Sequence, residues 1–275
     1  MKFLKYHGLG NDFVIIDGTD GKSEVDTEWC RWACDRNFGI GADGVLYVMP
    51  GKNGSDITMR VINADGSEAE MCGNGIRCVA KYAYDHGIVE NERFLIHTLA
   101  GDLEAAVSLD NGEVATVTID MGAPVLDGRS VPVDHDGEFV DMELNVDSLT
   151  LKGTAVSMGN PHFVTFTELE DETVDRLGPV LERHEFFPNR TNVEFCSVSD
   201  GKIYVRVYER GAAWTLACGT GASASAVAAA LIGLVPFDEK VDVKLPGGWL
   251  KITVSKNLDR VLMEGPAEFV FKGET

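Results

Sequence analysis

Two stretches of this chain repeat one another at a fixed distance, and that repeat constrains the fold more than any other feature. Arg60-Val61-Ile62-Asn63 precedes Cys72-Gly73-Asn74-Gly75, and Arg206-Val207-Tyr208-Glu209 precedes Cys218-Gly219-Thr220-Gly221. Subtracting 60 from 206 and 72 from 218 gives 146 both times. Each copy reads strand, turn, Cys-Gly-X-Gly, then a helix rich in small residues. The 275 residues are therefore expected to form two similar halves, each presenting one cysteine at a helix start, with a ligand cleft between the copies. Met121-Gly122-Ala123-Pro124 breaks the strand pattern, so the halves are placed at 1–122, carrying Cys72, and 123–264, carrying Cys218. A tail of residues 265–275 is expected to pack back on the first half.

Apolar alternation predicts strands near Phe3–His7, Phe13–Asp17, Val45–Met49, Ile57–Asn63, Phe94–His97 and Val114–Ile119. A second set falls near His162–Thr167, Asn192–Val198, Ile203–Glu209, Val241–Leu245, Leu250–Val254 and Val261–Glu264. Helical periodicity covers Asp26–Arg36, Gly73–Asp85, Glu172–His184 and Gly219–Leu231. A doubly wound sheet or a (β/α)₈ barrel needs a helix after nearly every strand, so the pattern is α+β.

The charge balance excludes some partners. With 24 Lys and Arg against 44 Asp and Glu the formal net charge is −20, which opposes binding to a phosphate backbone, so no nucleic-acid partner is expected. The longest apolar run, Ala222–Val235, is interrupted by Gly233 and falls short of the roughly 20 residues that span a bilayer. No membrane partner and a cytoplasmic location are expected. Six cysteines are too sparse for a disulfide scaffold, and the default for each is a small buried hydrophobe. Cys30 and Cys34 fit that default, four apart on one helix face among Trp29 and Trp32. Cys72 and Cys78 have the wrong spacing for a zinc knuckle, and no structural metal is expected.

Cys72 and Cys218 differ because of where they stand. The first amides of a helix lack internal partners, and the helix dipole adds about half a positive charge there. Glycines after the cysteine let backbone amides approach a carboxylate closely. A thiol at such a place can fall to a pKa of roughly 3.5 to 7.5, so both are candidate thiolates. A disulfide between them would require Cα atoms within about 7 Å. Two thiols across a cleft suit one reaction above others: one removes a proton from a carbon while the other returns one to the opposite face, inverting the centre. No lysine motif for pyridoxal phosphate is present and no cofactor is expected. Stabilisation would come from amide donors on the substrate carboxylate in a dry site.

At these residues the sequence resembles the diaminopimelate epimerases, the two-cysteine epimerases of lysine biosynthesis that work without pyridoxal phosphate. The resemblance runs along nearly the whole chain. It includes His7-Gly8-Leu9-Gly10-Asn11-Asp12-Phe13, Gly39-Ile40-Gly41-Ala42-Asp43-Gly44, Asn63-Ala64-Asp65-Gly66-Ser67-Glu68 and Glu70-Met71-Cys72-Gly73-Asn74-Gly75. It continues through Met158-Gly159-Asn160-Pro161-His162, Asn192-Val193-Glu194-Phe195, Glu209-Arg210-Gly211 and Leu216-Ala217-Cys218-Gly219-Thr220-Gly221. It implies two pseudo-symmetric domains, each a curved mixed sheet around a central helix, assembled as a homodimer that acts on diaminopimelate.

By the same resemblance Cys72 is the base for one face and Cys218 the acid, with roles exchanged in reverse, and the amides of Gly73, Asn74, Gly219 and Thr220 hold the reacting carboxylate. Asn11, Asn63, Asn160, Asn192, Glu209 and Arg210 would bind the remaining polar groups, with His162 near the site. The residue types make sense unaided. Arg210 offers a fork to a second carboxylate, and the Asn set with Glu209 offers acceptors to an ammonium. Each also has a structural reading: Asn63 and Asn192 as turn-satisfying amides, Glu209 with Arg210 as a surface pair, and His162 as a core histidine. The family usually carries Gly-Glu before the Thr-Leu-Ala-Cys, where this chain has Ala213-Trp214, and some members carry Gln where Gly44 stands. The rivals are a proline or hydroxyproline racemase, which typically has His where Asn74 stands, and a non-catalytic binding homologue. The phenazine-pathway isomerases lack the cysteine pair.

Overall fold

In the computed structural model, which describes residues 1–22 and 24–275, the stretches after Cys72 and Cys218 form two helices, each packed against strands of its own half. The chain divides into two units, residues 1–120 with 264–275, and residues 121–263.

The first unit begins with β1 (Lys2–Gly8) and β2 (Asn11–Asp17), joined through Leu9 and Gly10. Those two residues have φ of 57° and 84°, the double left-handed geometry of a tight hairpin turn. Then come α1 (Thr27–Cys34), β3 (Gly44–Pro50), β4 (Ile57–Asn63), β5 (Glu68–Ala69), α2 (Gly73–Asp85), β6 (Arg93–Thr98), β7 (Gly101–Asp110) and β8 (Glu113–Asp120). The second unit contains β9 (Met142–Val146), β10 (Leu149–Ser157), β11 (Pro161–Thr165), α3 (Asp171–Glu182), β12 (Asn192–Ser199), β13 (Lys202–Glu209), β14 (Ala213–Trp214), α4 (Gly219–Leu231), β15 (Lys240–Leu245) and β16 (Gly248–Val254), and β17 (Val261–Gly265) runs over the point at which the chain passes back to the first unit. A last strand, β18 (Glu268–Glu274), returns to the first unit and pairs with β1.

The two units have the same wiring. β1 and β2 pair antiparallel, β2 and β3 parallel, β3 and β4 antiparallel, β4 and β6 parallel, and β6 and β7 antiparallel. Likewise β10 and β11 are antiparallel, β11 and β12 parallel, β12 and β13 antiparallel, β13 and β15 parallel, and β15 and β16 antiparallel. A parallel pair cannot be joined by a hairpin, and each one here is crossed by a helix: α1 and α2 in one unit, α3 and α4 in the other. The fold is α+β, two pseudo-symmetric units of mixed sheet and central helix, as expected.

The central helices differ in how they fill their sheets. α4 is Ala- and Ser-rich and buried on nearly every face, and it packs against β10, β11, β12, β13, β15 and β16. Its serines return their hydroxyls to the helix, Ser223 to Gly219 O (3.0 Å) and Ser225 to Gly221 O (2.7 Å), which satisfies them without water. α2 is amphipathic, with Ile76, Cys78, Val79 and Ala83 buried, Lys81 and Tyr84 half-buried and Asp85 exposed. Beneath α1, Val14, Cys30, Ala33, Val45 and Tyr47 form a core; beneath α3, Phe163, Leu177, Leu181 and Val193 do the same.

Helix α1 is shorter than its periodicity predicts because both ends are capped by aspartates. Asp26 accepts from the amides of Glu28 and Trp29 (3.0 Å each), and Asp35 accepts from those of Asn37 and Phe38 (2.8 Å each), which turns the chain out of the helix. Strands β7, β9, β10 and β18 were not foreseen, since their apolar residues are interspersed with Glu, Asp, Lys and Gly.

Candidate active site

Cys72 is the N-cap of α2, with extended φ and ψ of −139° and 116° and no side-chain capping bond. The first intrahelical bond runs from Ile76 N to Cys72 O (2.8 Å), so the amides of Gly73, Asn74 and Gly75 lie ahead of the helical ladder. The half-buried thiol donates to Asn11 Oδ1 (3.8 Å). Asn74 Nδ2 donates to the same oxygen (3.1 Å), and Asn11 Nδ2 donates to Asp43 Oδ2 (2.7 Å). Both amides are thereby fixed end for end. Asp43 in turn accepts from Arg36 (2.7 Å), which also holds Asp12 Oδ1 (2.7 Å). Burial opposes the charge of Asp12, yet Arg36 and Lys5 together pull its carboxyl below the usual range.

Beneath Cys72 lies Arg77, fully buried. It donates to Gly73 O (3.2 Å), Asn74 Oδ1 (2.9 Å) and Pro266 O (3.2 Å). Asn63 stands at the end of β4, where its amide donates to Ser67 Oγ (3.0 Å) across the turn to β5.

The second unit builds its half around Cys218, the N-cap of α4, again extended (φ −126°, ψ 109°). Here the sulfur does cap: Gly221 N donates to Sγ at 3.3 Å, and Thr220 Oγ1 lies at 3.5 Å. Burial is the largest cause pushing this thiol well above its ordinary value, followed by the charges of Glu209 and Glu194. Loss of water and the two carboxylates both favour the thiol form of Cys218 over the thiolate. Burial also raises Glu209, partly offset by the hydroxyl of Thr215, which donates to its carboxylate.

His162 is fully buried, with Nδ1 on Glu194 Oε1 (2.7 Å) and Nε2 on Asn160 Oδ1 (2.9 Å). Asn192 donates to Pro161 O (2.8 Å) and accepts from Arg210 N (2.9 Å), so its amide anchors two backbone segments. The Arg210 guanidinium is exposed and makes a 3.2 Å bond to Asn189 O. Trp214 is wedged between Tyr208 (ring centroids 5.2 Å apart) and Phe195 (6.0 Å), with the Arg206 guanidinium 4.7 Å from its ring centre.

The structure thus gathers Asn11, Gly73 and Asn74 around Cys72, and Glu209, Gly219 and Thr220 around Cys218, with Asn160 and His162 linked to that second set through Glu194. Asn63, Asn192 and Arg210 are held chiefly by turn and strand backbone. Sequence reasoning missed Arg77, Asp43 and Glu194. The available signal was period: Arg77 lies four residues after Gly73 on one helix face, and Glu194 two after Asn192 on one strand face. The remaining thiols are muted by burial, which pushes Cys34 up to about 11 and Cys78 to about 12. Among the described residues no group of three or more His, Cys, Asp or Glu could hold a metal ion, and no helix is long and apolar enough to cross a membrane.

A PhzF-family phenazine biosynthesis protein from Bacillus anthracis superposes with a TM-score of 0.73 at 17% identity, covering 100% of this chain and 98% of that one. A hydroxyproline epimerase from Agrobacterium vitis gives 0.72 at 14%, covering 100% and 90%. The chain therefore has the two-unit fold shared by these proteins. Residues 3–126 and 154–270 match the family model described as diaminopimelate epimerase. The chain is 49% identical to the diaminopimelate epimerase of Desulfitobacterium hafniense, over 99% of this chain and 97% of the relative. With that of Moorella thermoacetica the figures are 47%, 100% and 99%, and with that of Methanococcus maripaludis 44%, 100% and 99%. It belongs to the diaminopimelate epimerase family and is an isomerase.

Proposed function

We propose that the chain interconverts LL- and meso-2,6-diaminopimelate in lysine biosynthesis, without a cofactor, using Cys72 and Cys218 as its two bases. The names carried by relatives of near-complete coverage support the substrate. The observation that carries the mechanism is that each unit places a cysteine immediately before the first turn of its central helix, one beside a buried guanidinium and the other beside buried carboxylates.

In this reading Cys72 enters as thiolate and takes the α-proton. The C–H electron pair moves onto the α-carbon and its carboxylate, and the Cys218 thiol delivers its proton to the opposite face. Cys72 is left as thiol and Cys218 as thiolate, and the reverse reaction exchanges the roles. The amides of Gly73, Asn74, Gly219 and Thr220 receive the growing negative charge on the carboxylate. Arg210 pairs with the distal carboxylate, Glu209 and the amides of Asn11, Asn63, Asn160 and Asn192 complete the polar set, and His162 stands behind Asn160. The functional halves are 1–122 and 123–264, each supplying one cysteine.

The enzyme is cytoplasmic and a homodimer in this reading. Three consecutive apolar residues on β18, Phe269, Val270 and Phe271, are 48%, 49% and 43% exposed, apolar surface that a second copy would cover. Sedimentation should show Val270→Glu as monomer and the parent as dimer.

The main test incubates the protein in D₂O with LL-diaminopimelate and, separately, with L-proline. Deuterium at the α-carbon and loss of chirality are expected only with the former; uptake with proline alone would overturn the assignment.

A further inference from the structure

Glu194 neither binds substrate nor moves a proton in the reading above. It sits on β12 with its side chain wholly removed from solvent, and its Oε2 has no hydrogen-bond partner. Fully burying a carboxylate oxygen without a partner costs several kcal/mol, about what a core tolerates only for a purpose. Its Oε1 accepts from His162 Nδ1 at 2.7 Å, and the other ring nitrogen reaches the Asn160 amide at 2.9 Å. The same carboxylate lies against the start of α4. A methyl group added at Gly221 would stand 2.8 Å from Glu194 Oε1 and 3.2 Å from Cys218 Sγ, so acid and thiol border the same space beside that glycine.

We propose that Glu194 is a positioning residue with two separable effects: its reach, through His162, holds the Asn160 amide, and its charge, set across Gly221, opposes loss of the proton from Cys218. The first effect follows from a fixed ring: a carboxylate accepting from Nδ1 holds the imidazole in one orientation, so Nε2 meets the Asn160 amide oxygen. The second follows from Coulomb's law in a buried site, where a carboxylate near a sulfur disfavours a second negative charge.

The groups that face Cys218 and Glu194 are Asn160 and His162 before and on β11, Cys196 on β12, Glu209 on β13, and Thr220 and Ser225 on α4. Glu209 adds charge of the same sign, so removing Glu194 weakens the effect without abolishing it. This inference rests on the proposed role of Cys218, yet its readout does not require turnover.

Two near-isosteric variants separate reach from charge. Glu194→Gln keeps an acceptor for His162 and loses the charge; Glu194→Asp keeps the charge and shortens the reach by one methylene. Iodoacetamide labelling of Cys218, followed at pH 8 by mass spectrometry of its peptide, should be about tenfold faster in Glu194→Gln and unchanged in Glu194→Asp. KM for diaminopimelate should stay within about twofold in Glu194→Gln and rise about tenfold in Glu194→Asp. A merely structural carboxylate would move both quantities together in both variants, and that result, or unchanged labelling in Glu194→Gln, overturns the proposal. If neither variant turned over substrate, the labelling alone would still decide the charge effect.

Discussion

The two cysteines occupy equivalent places in equivalent units, and their surroundings have opposite sign. Cys72 is half-buried, leaves its helix uncapped and rests above the fully buried Arg77; Cys218 is buried, caps its helix through sulfur and lies beside Glu209 and Glu194. A duplicated fold supplies two identical scaffolds, while a two-base reaction needs one base empty and one loaded. The difference lies in residues outside the repeated tetrapeptides, and it teaches that symmetry of backbone and asymmetry of proton inventory are set by separate parts of the sequence.

The harshest way to break this comparison is to delete either thiol. Cys72→Ala and Cys218→Ala should each lower kcat for epimerisation by about 10³-fold, measured by polarimetry or coupled assay, and full turnover in either variant refutes the two-base scheme.

Next in size, Arg77→Leu strips donors from Gly73 O, Asn74 Oδ1 and Pro266 O at a fully buried position and should cost about 3 kcal/mol in denaturant unfolding. Nothing in the second unit mirrors that arginine, so a cost under about 1 kcal/mol would erase the contrast.

The matched glycines sharpen it further. A methyl at Gly75 meets the end of the Leu46 side chain at 3.1 Å and can be relieved by a small shift, whereas one at Gly221 meets Glu194 at 2.8 Å and Cys218 at 3.2 Å, both tied down. Gly221→Ala should lower kcat/KM about 30-fold and Gly75→Ala no more than about threefold.

The smallest effect is on stability and pH. Burial holds Glu209 above its ordinary pKa, so the folded state resists its ionisation. Its contribution is fully favourable below the unfolded carboxylate pKa and is lost as pH rises through the raised folded one. Glu209→Gln should therefore raise Tm by about 2–4 °C at pH 8, the gain shrinking to nothing near pH 4 in calorimetry. A gain that grew on acidification would contradict the sign.

Much of this was legible because the repeat and the apolar alternation report the same wiring twice. The strands flanking each Cys-Gly-X-Gly are Val- and Ile-rich, and their helices begin at glycine. What escaped had physical reasons. β7, running Gly-Asp-Leu-Glu-Ala-Ala-Val, has the residues of a helix and becomes a strand only because β6 and β8 flank it. At the site, the sequence placed Cys218 at a helix end and named Glu209 for substrate, with no sign that Glu209 and Glu194 would both lie against the thiol. Its two acidic neighbours lie 9 and 24 residues upstream in sequence, and only the pairing of β12 with β13 brings them to it. Trp214, a departure from the family pattern, proved to be packing against Tyr208 and Phe195.

The final strand has a consequence for how the protein comes into being. Because β18 pairs along the whole of β1, and Pro266 just before it takes a hydrogen bond from Arg77, the first unit is sewn shut by residues made after the second. During synthesis on the ribosome every residue of the stretch 121–263 has been made before the strand that completes the unit of Cys72. The thiol nearer the start of the chain is thus the later of the two to receive its finished surroundings.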